Sequence, residues 1–254
     1  MITFAEMMDA VDSSVINALE VTAFSEFDIV NLILQRSEIV HDHPHSAAAI
    51  LNWIDGDDRT IRGIVDEMGA ALVRRAAAAI WLEYQEIKPV IDALAPMRMA
   101  DIGCGYALFD LFAWQAHRAD LLLIDLEQTE ERHFGFAGTG SAYSNLETAK
   151  AFLLQNGVPA EQIACRNPER DRLDDGKRVD LAVSFISCGF HYPAETYSGF
   201  FRDVVADDGA VILDARKSKV DAVSAFLGAM GKVEELTRSA HGKGRRLLLR
   251  KTAT

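Results

Sequence analysis

The sequence predicts an α/β fold, with a mostly parallel, seven-stranded sheet that ends in an antiparallel hairpin and is preceded by a helical segment. Three observations predict it. After Pro96, short and continuously apolar runs alternate with helical patterns, as strands buried on both faces by crossover helices do. Before Pro96 the apolar spacing is helical throughout. The last two apolar runs are joined by too few residues for a helical crossover, so they pair as a hairpin.

In the first part, Met7, Val11, Val15 and Leu19 share one helical face. His41-Asp42-His43-Pro44-His45 reads as a loop, and its alternating histidines read as exposed side chains rather than metal ligands. Asp55, Asp57 and Asp58 then open a stripe of Ile61, Ile64, Met68 and Leu72. An Ala-rich stretch with Tyr84, Ile87, Ile91 and Leu94 extends the stripe. Residues 1–95 thus form a helical cap or dimerisation region beside a domain spanning residues 96–254. Their striping without a large core of their own points to packing over the sheet or against a second copy in a homodimer.

In the second part, strands are expected at 99–102, 121–125, 163–166, 181–186 and 210–213, and near Val233 and Leu247. Helices are expected at 107–119, from 144 to Asn156-Gly157, from Pro193 to Val205, and at 220–230. Ser144-Asn145-Leu146-Glu147 has the pattern of a capping box with Ser144 as the cap.

Charge and cysteine usage narrow the class. A formal net charge of −12 repels nucleic acid, and the one basic cluster, Lys243, Arg245, Arg246, Arg250 and Lys251, reads as a final strand with solvated ends. No apolar run reaches the roughly 18 residues that a membrane-spanning helix needs. The start carries Glu6 and Asp9 in place of a basic, then apolar, leader. Cys104, Cys165 and Cys188 are odd in number and far apart, which suits reduced thiols in a cytoplasm.

The strongest local signal is Asp101-Ile102-Gly103-Cys104-Gly105-Tyr106-Ala107, between the first strand and its helix. Glycines there let the backbone turn tightly and approach a ligand. Asp125 ends the next strand, where a carboxylate reaches the hydroxyls of a ribose. The third glycine of a dinucleotide fingerprint is missing, because Leu108 takes its place. The Asp-x-Gly-x-Gly-x-Ala pattern instead resembles the first motif of class I methyltransferases dependent on S-adenosylmethionine (SAM). That resemblance spans residues 97–251 and implies a Rossmann-like fold with SAM as cofactor. It implies that Asp101, Gly103 and Gly105 face the amino-acid part of SAM and that Asp125 holds the ribose. Tyr106 and Ser184 are further candidates for cofactor contact, and Asn167 is the candidate near the adenine.

The segment Ser187-Cys188-Gly189-Phe190-His191-Tyr192-Pro193, with the stretches 143–147 and 156–158, resembles a bacterial group assigned as sugar O-methyltransferases. The expected acceptor is a carbohydrate or other hydroxylated small molecule, and His191 is the candidate base for its proton. Metal assistance is disfavoured, because Asp214 stands alone at the end of the fifth strand. A long segment carrying Glu130, Glu131, Arg132, His133, Phe134 and Phe136 reads as a lid or binding loop. The alternatives are N- or C-methylation of a small metabolite, nucleoside binding without turnover, and a dehydrogenase.

Overall fold

The computed structural model describes residues 2–126, 144–238 and 242–252. The segment of Glu130 to Phe136, Tyr143 of the 143–147 stretch, and residues 239–241 lie outside them.

Helices α1 (Phe4–Val11), α2 (Ser14–Asn17), α3 (Glu26–Gln35), α4 (Ser46–Ile54), α5 (Arg59–Met68) and α6 (Ala70–Leu94) come first. Chemistry at their ends explains the breaks. Thr3 and Ser25 each form a reciprocal capping box, with Glu6 and Asp28 respectively. Gly69, at φ +48, separates α5 from α6. The loop 41–45 is pinned by Arg75, which donates to both carboxylate oxygens of Asp42, and by His43, 3.3 Å from Glu67. Among the described residues no group of three or more His, Cys, Asp or Glu could hold a metal ion, and no helix is long and apolar enough to cross a membrane.

Strands and helices then follow as β1 (Arg98–Ile102), α7 (Leu108–His117), β2 (Asp120–Ile124), α8 (Leu146–Gln155), β3 (Ile163–Arg166) and β4 (Val179–Ser184). The chain ends with β5 (Val205–Arg216), α9 (Val220–Gly228), β6 (Gly231–Arg238) and β7 (Gly244–Lys251). The seven strands lie in the order β3-β2-β1-β4-β5-β7-β6. Pairing is parallel from β3 to β5 and antiparallel for β5 with β7 and β7 with β6. The strand order reverses between β1 and β4, and the crevice outside their carboxyl ends is where such sheets bind ligands.

Alternation along the strands divides the interior. Met99, Leu121, Leu123, Leu181, Val183 and Ile212 pack with Ala76, Ile87, Leu111 and Phe152, so α6, α7 and α8 cover one face. Ala100, Ile102, Leu122, Val211 and Leu249 pack with Phe201, Val223 and Leu227 on the other. The N-terminal helices share the first of these clusters, so they and the sheet bury one continuous core.

Four sequence expectations change. Ser144 does not cap α8; Asn145 does, its Oδ1 accepting from the N–H groups of Glu147 and Thr148. β4 begins earlier than expected and ends at Ser184, which frees Phe185 and Ile186 from the ladder. The single helix expected after Pro193 is a 3-10 turn at Ala194–Tyr197 followed by a π turn at Phe200–Val204. Arg246 is not at a solvated strand end: it is 1% exposed and donates from Nε and Nη2 to the two oxygens of Asp214.

Removing residues before Ile91 would strip α1 to α5 and most of α6 from the sheet face carrying Met99, Leu121 and Leu181. A chain starting there should be aggregated or molten by size-exclusion chromatography and near-ultraviolet circular dichroism. A sharply melting monomer would contradict the shared core.

Candidate functional site

The site grows from the end of β1. Asp101 is buried in the strand, and the chain then turns through Gly103 (φ +80), Gly105 (φ +57) and Ala107 (φ +57) into α7. The turn is fixed by the Gly103 N–H donating to the carbonyl of Ile124 at 2.7 Å. A side chain at Gly103 would collide with Ser187, so this glycine lets the loop lie against the end of β4. At Gly105 the near neighbour is Gln35, brought by the C-terminus of α3. Ala107 adopts a left-handed conformation that costs a non-glycine residue roughly 1–2 kcal/mol.

Tyr106 joins the loop to the helical segment. Its hydroxyl donates to Asp28 Oδ1 at 3.0 Å and accepts from Asn31 Nδ2 at 3.1 Å, while Thr148 donates to Asp28 Oδ2 at 3.2 Å. One buried carboxylate therefore ties α3, the glycine loop and α8 together. Burial and the neighbouring Asp28 push the Tyr106 phenol well up, which keeps it a neutral donor.

Three carboxyl groups meet at this point. Asp125, just past β2, accepts the Gly105 N–H on Oδ2 at 2.7 Å. Burial pushes it up to about 7 against the lowering effect of Gly105 and Ser144. Asp101 is raised well above the usual range by burial and by the neighbouring Asp110 and Asp125 carboxyls. Asp110, in the first turn of α7, is raised to about 7 by burial. Oδ1 of Asp101 and Oδ2 of Asp110 are buried and have no hydrogen-bond partner.

The end of β4 forms the opposite wall. Ile186 has φ +50, a strained conformation for a β-branched residue. Ser187 Oγ lies 2.9 Å from Tyr192 Oη, and the backbone N–H of His191 donates to the Ser187 carbonyl at 2.8 Å. The His191 and Phe190 rings meet edge to face at 5.1 Å. Farther out, Arg36 at the end of α3 makes a two-pronged ion pair with Glu83 of α6, Nη2 to Oε2 at 3.0 Å. The Arg246 guanidinium stacks over Phe185 at 4.4 Å, and Phe185 meets Phe109 at 4.6 Å.

These walls enclose a cavity of about 400 Å³, within the usual range for small-ligand sites. Of the residues singled out in the sequence, Asp101, Gly103, Gly105, Tyr106, Asp125 and His191 line it together. Ser184 and Asn167 do not. Ser184 is fully buried, with its hydroxyl donating to the Ile102 carbonyl at 2.7 Å and accepting from the Cys188 N–H. It fixes the end of β4 against β1. Asn167 begins a turn in which its Oδ1 accepts the Glu169 N–H at 3.0 Å. The sequence reading missed Gln35, Arg36, Glu83 and Tyr197 in the cavity wall, and Asp110 behind it. A faint signal existed for two of them: Glu83 and Asp110 interrupt otherwise apolar helical stripes.

No protein-family model matches the chain, and neither does any curated protein. Solved structures are similar. A protein of Nostoc punctiforme designated an O-methyltransferase aligns over 70% of this chain with TM-score 0.52 and 14% identity. The chain covers 58% of that protein's length. A ribosomal protein L11 methylase of Lactobacillus delbrueckii aligns over 69% of this chain and 77% of its own, with TM-score 0.48 and 16% identity. The likeness to the Nostoc protein is one of fold, the Rossmann-like α/β architecture.

The raised carboxyls have a consequence for stability. Asp110 and Asp125, at about 7, stay protonated in the fold at pH values where the unfolded chain has ionised them. The folded state then binds more protons, so stability falls as pH rises from about 4 through 7. The melting temperature of the ligand-free protein should fall by several degrees between pH 5.5 and 8, at roughly 2–4 °C per kcal/mol. Asp125→Asn should flatten part of the fall. A melting temperature that climbs over this interval would contradict the assignment.

Proposed function

We propose that the chain is a SAM-dependent methyltransferase acting on a hydroxyl of a sugar or similar hydroxylated small molecule. The observation that carries the reading is the pairing of Asp125 with the Gly105 N–H, beside the buried Asp101, in one cavity at the strand-order reversal. The residues fit the donor. SAM carries an ammonium and a sulfonium, and this end of the cavity presents carboxyls, one of them with a buried oxygen that lacks a partner. SAM supplies an electrophilic methyl group on its sulfonium sulfur. Asp125 would accept the ribose hydroxyls, and Asp101 would accept the ammonium group.

Support for the acceptor comes from the far wall. Arg36 pairs with both Glu83 and Glu38, so this wall offers polar donors and acceptors. Phe185 and Phe190 line the same cavity with apolar faces. A hydroxylated ring has both a polar edge and an apolar C–H face, and it matches this combination. His191, on the loop after β4, lines the cavity and would take the proton from the reacting hydroxyl. Ser187 and Tyr192, held to each other, would shape the floor beside it.

Two variants test the two halves of the reading. Asp125→Ala should weaken SAM binding at least tenfold, since a charge-assisted hydrogen bond is worth roughly 1.5–3 kcal/mol; unchanged affinity by calorimetry would contradict the ribose assignment. His191→Ala should lower single-turnover methyl transfer roughly 10²–10⁴-fold while SAM affinity and melting temperature hold. A variant that melts earlier but keeps its rate per folded molecule would make His191 structural.

A further inference from the structure

We propose that Asp28 is a positioning residue for the donor: through the Tyr106 hydroxyl it holds the glycine loop in the conformation that receives SAM, so α3 sets part of the donor affinity. The inference rests on the cavity being a SAM site, and it adds to that reading a residue that does not line the cavity.

Asp28 does more than cap α3. Its Oδ2 accepts from the backbone N–H and the hydroxyl of Ser25, at 3.0 and 2.6 Å, and this is the capping box. Thr3 and Glu6 make the same box on α1 with both residues exposed, so capping alone needs no buried acid. Asp28 is nevertheless 3% exposed. A carboxylate is costly there unless its oxygens are filled. Thr148 fills another place on Oδ2, at 3.2 Å, and Tyr106 takes Oδ1, at 3.0 Å.

Tyr106 carries this anchor into the loop. Its ring packs against Phe24 at 5.2 Å, and Phe24 meets Phe152 edge to face at 5.4 Å. A phenylalanine would fill the same space, so the hydroxyl is not there for packing. That hydroxyl is held from two sides of α3, donating to Asp28 and accepting from Asn31 Nδ2 at 3.1 Å. Asp28, Asn31 and Tyr106 are all buried, where water does not compete for these bonds.

The anchor falls at the strained point of the loop. Gly105 and Ala107, on either side of Tyr106, both have φ +57. Alanine takes the left-handed conformation at a cost, and such strain persists where the surroundings over-determine it. With the Tyr106 side chain pinned, the Gly105 N–H stays on Asp125 Oδ2, 2.7 Å away. Asp125 is the carboxylate that would accept the ribose. Without the anchor, Ala107 would relax and turn the Gly105 N–H away from it.

S-adenosylhomocysteine, the demethylated product of SAM, can be titrated calorimetrically into the full chain. Asp28→Ala and Tyr106→Phe should each weaken its binding roughly three- to thirtyfold. Both remove the same interaction, so the double variant should bind no worse than the weaker single one, whereas independent losses would multiply. Asp28→Asn replaces one acceptor oxygen by a donor and should follow the same pattern, which serves if thermal melting shows the alanine variant to be unfolded. Ser25→Ala breaks the cap of α3 without touching Tyr106. It should lower the melting temperature and leave the affinity unchanged. An affinity that Tyr106→Phe does not alter, losses that multiply in the double variant, or an equal loss in Ser25→Ala would overturn this inference and leave the donor site standing. A wild-type chain that does not bind S-adenosylhomocysteine would overturn the donor reading, and this inference with it.

Discussion

Negative charge gathered where β1 and β2 end is the constraint around which the site is organised. Asp101, Asp110 and Asp125 approach one another there, and no cationic side chain of the described residues acts on them. Such a cluster is costly in an empty fold, and protons offset part of the cost. The same cluster is a ready site for a cation. Its position is set by the sheet, since the parallel pairing of β1 with β2 and the tight turns at Gly103 and Gly105 bring Asp125 against the loop backbone.

The helical segment completes the cavity as well as covering the sheet. Asp28 fastens α3 to Tyr106, and from that anchor Gln35 lies over Gly105 while Arg36 reaches Glu83 on α6. The glycine-loop wall and the Arg36–Glu83 wall thus come from different parts of the chain, with α3 reaching both.

Much of this was legible in the sequence, for physical reasons. Continuous apolar strands, the short final connection, the glycine loop and the acid at Asp125 are local patterns, and each maps onto the fold. Misreadings arose where two residues could do the same local job. Ser144 and Asn145 are both good caps, and the structure uses the second. Long-range pairing was invisible. Arg246 looks like a surface cation until Asp214, 32 residues earlier, is placed opposite it. Arg36 and Glu83 are separated by 47 residues, so only the packing of α3 against α6 makes them a pair.

The account turns on which nucleoside-bearing molecule this cleft accepts. Equilibrium titration of the full chain with SAM and, separately, with NAD decides it. The account predicts one SAM bound per chain and no NAD binding. Binding of NAD in place of SAM, or of neither, would contradict it.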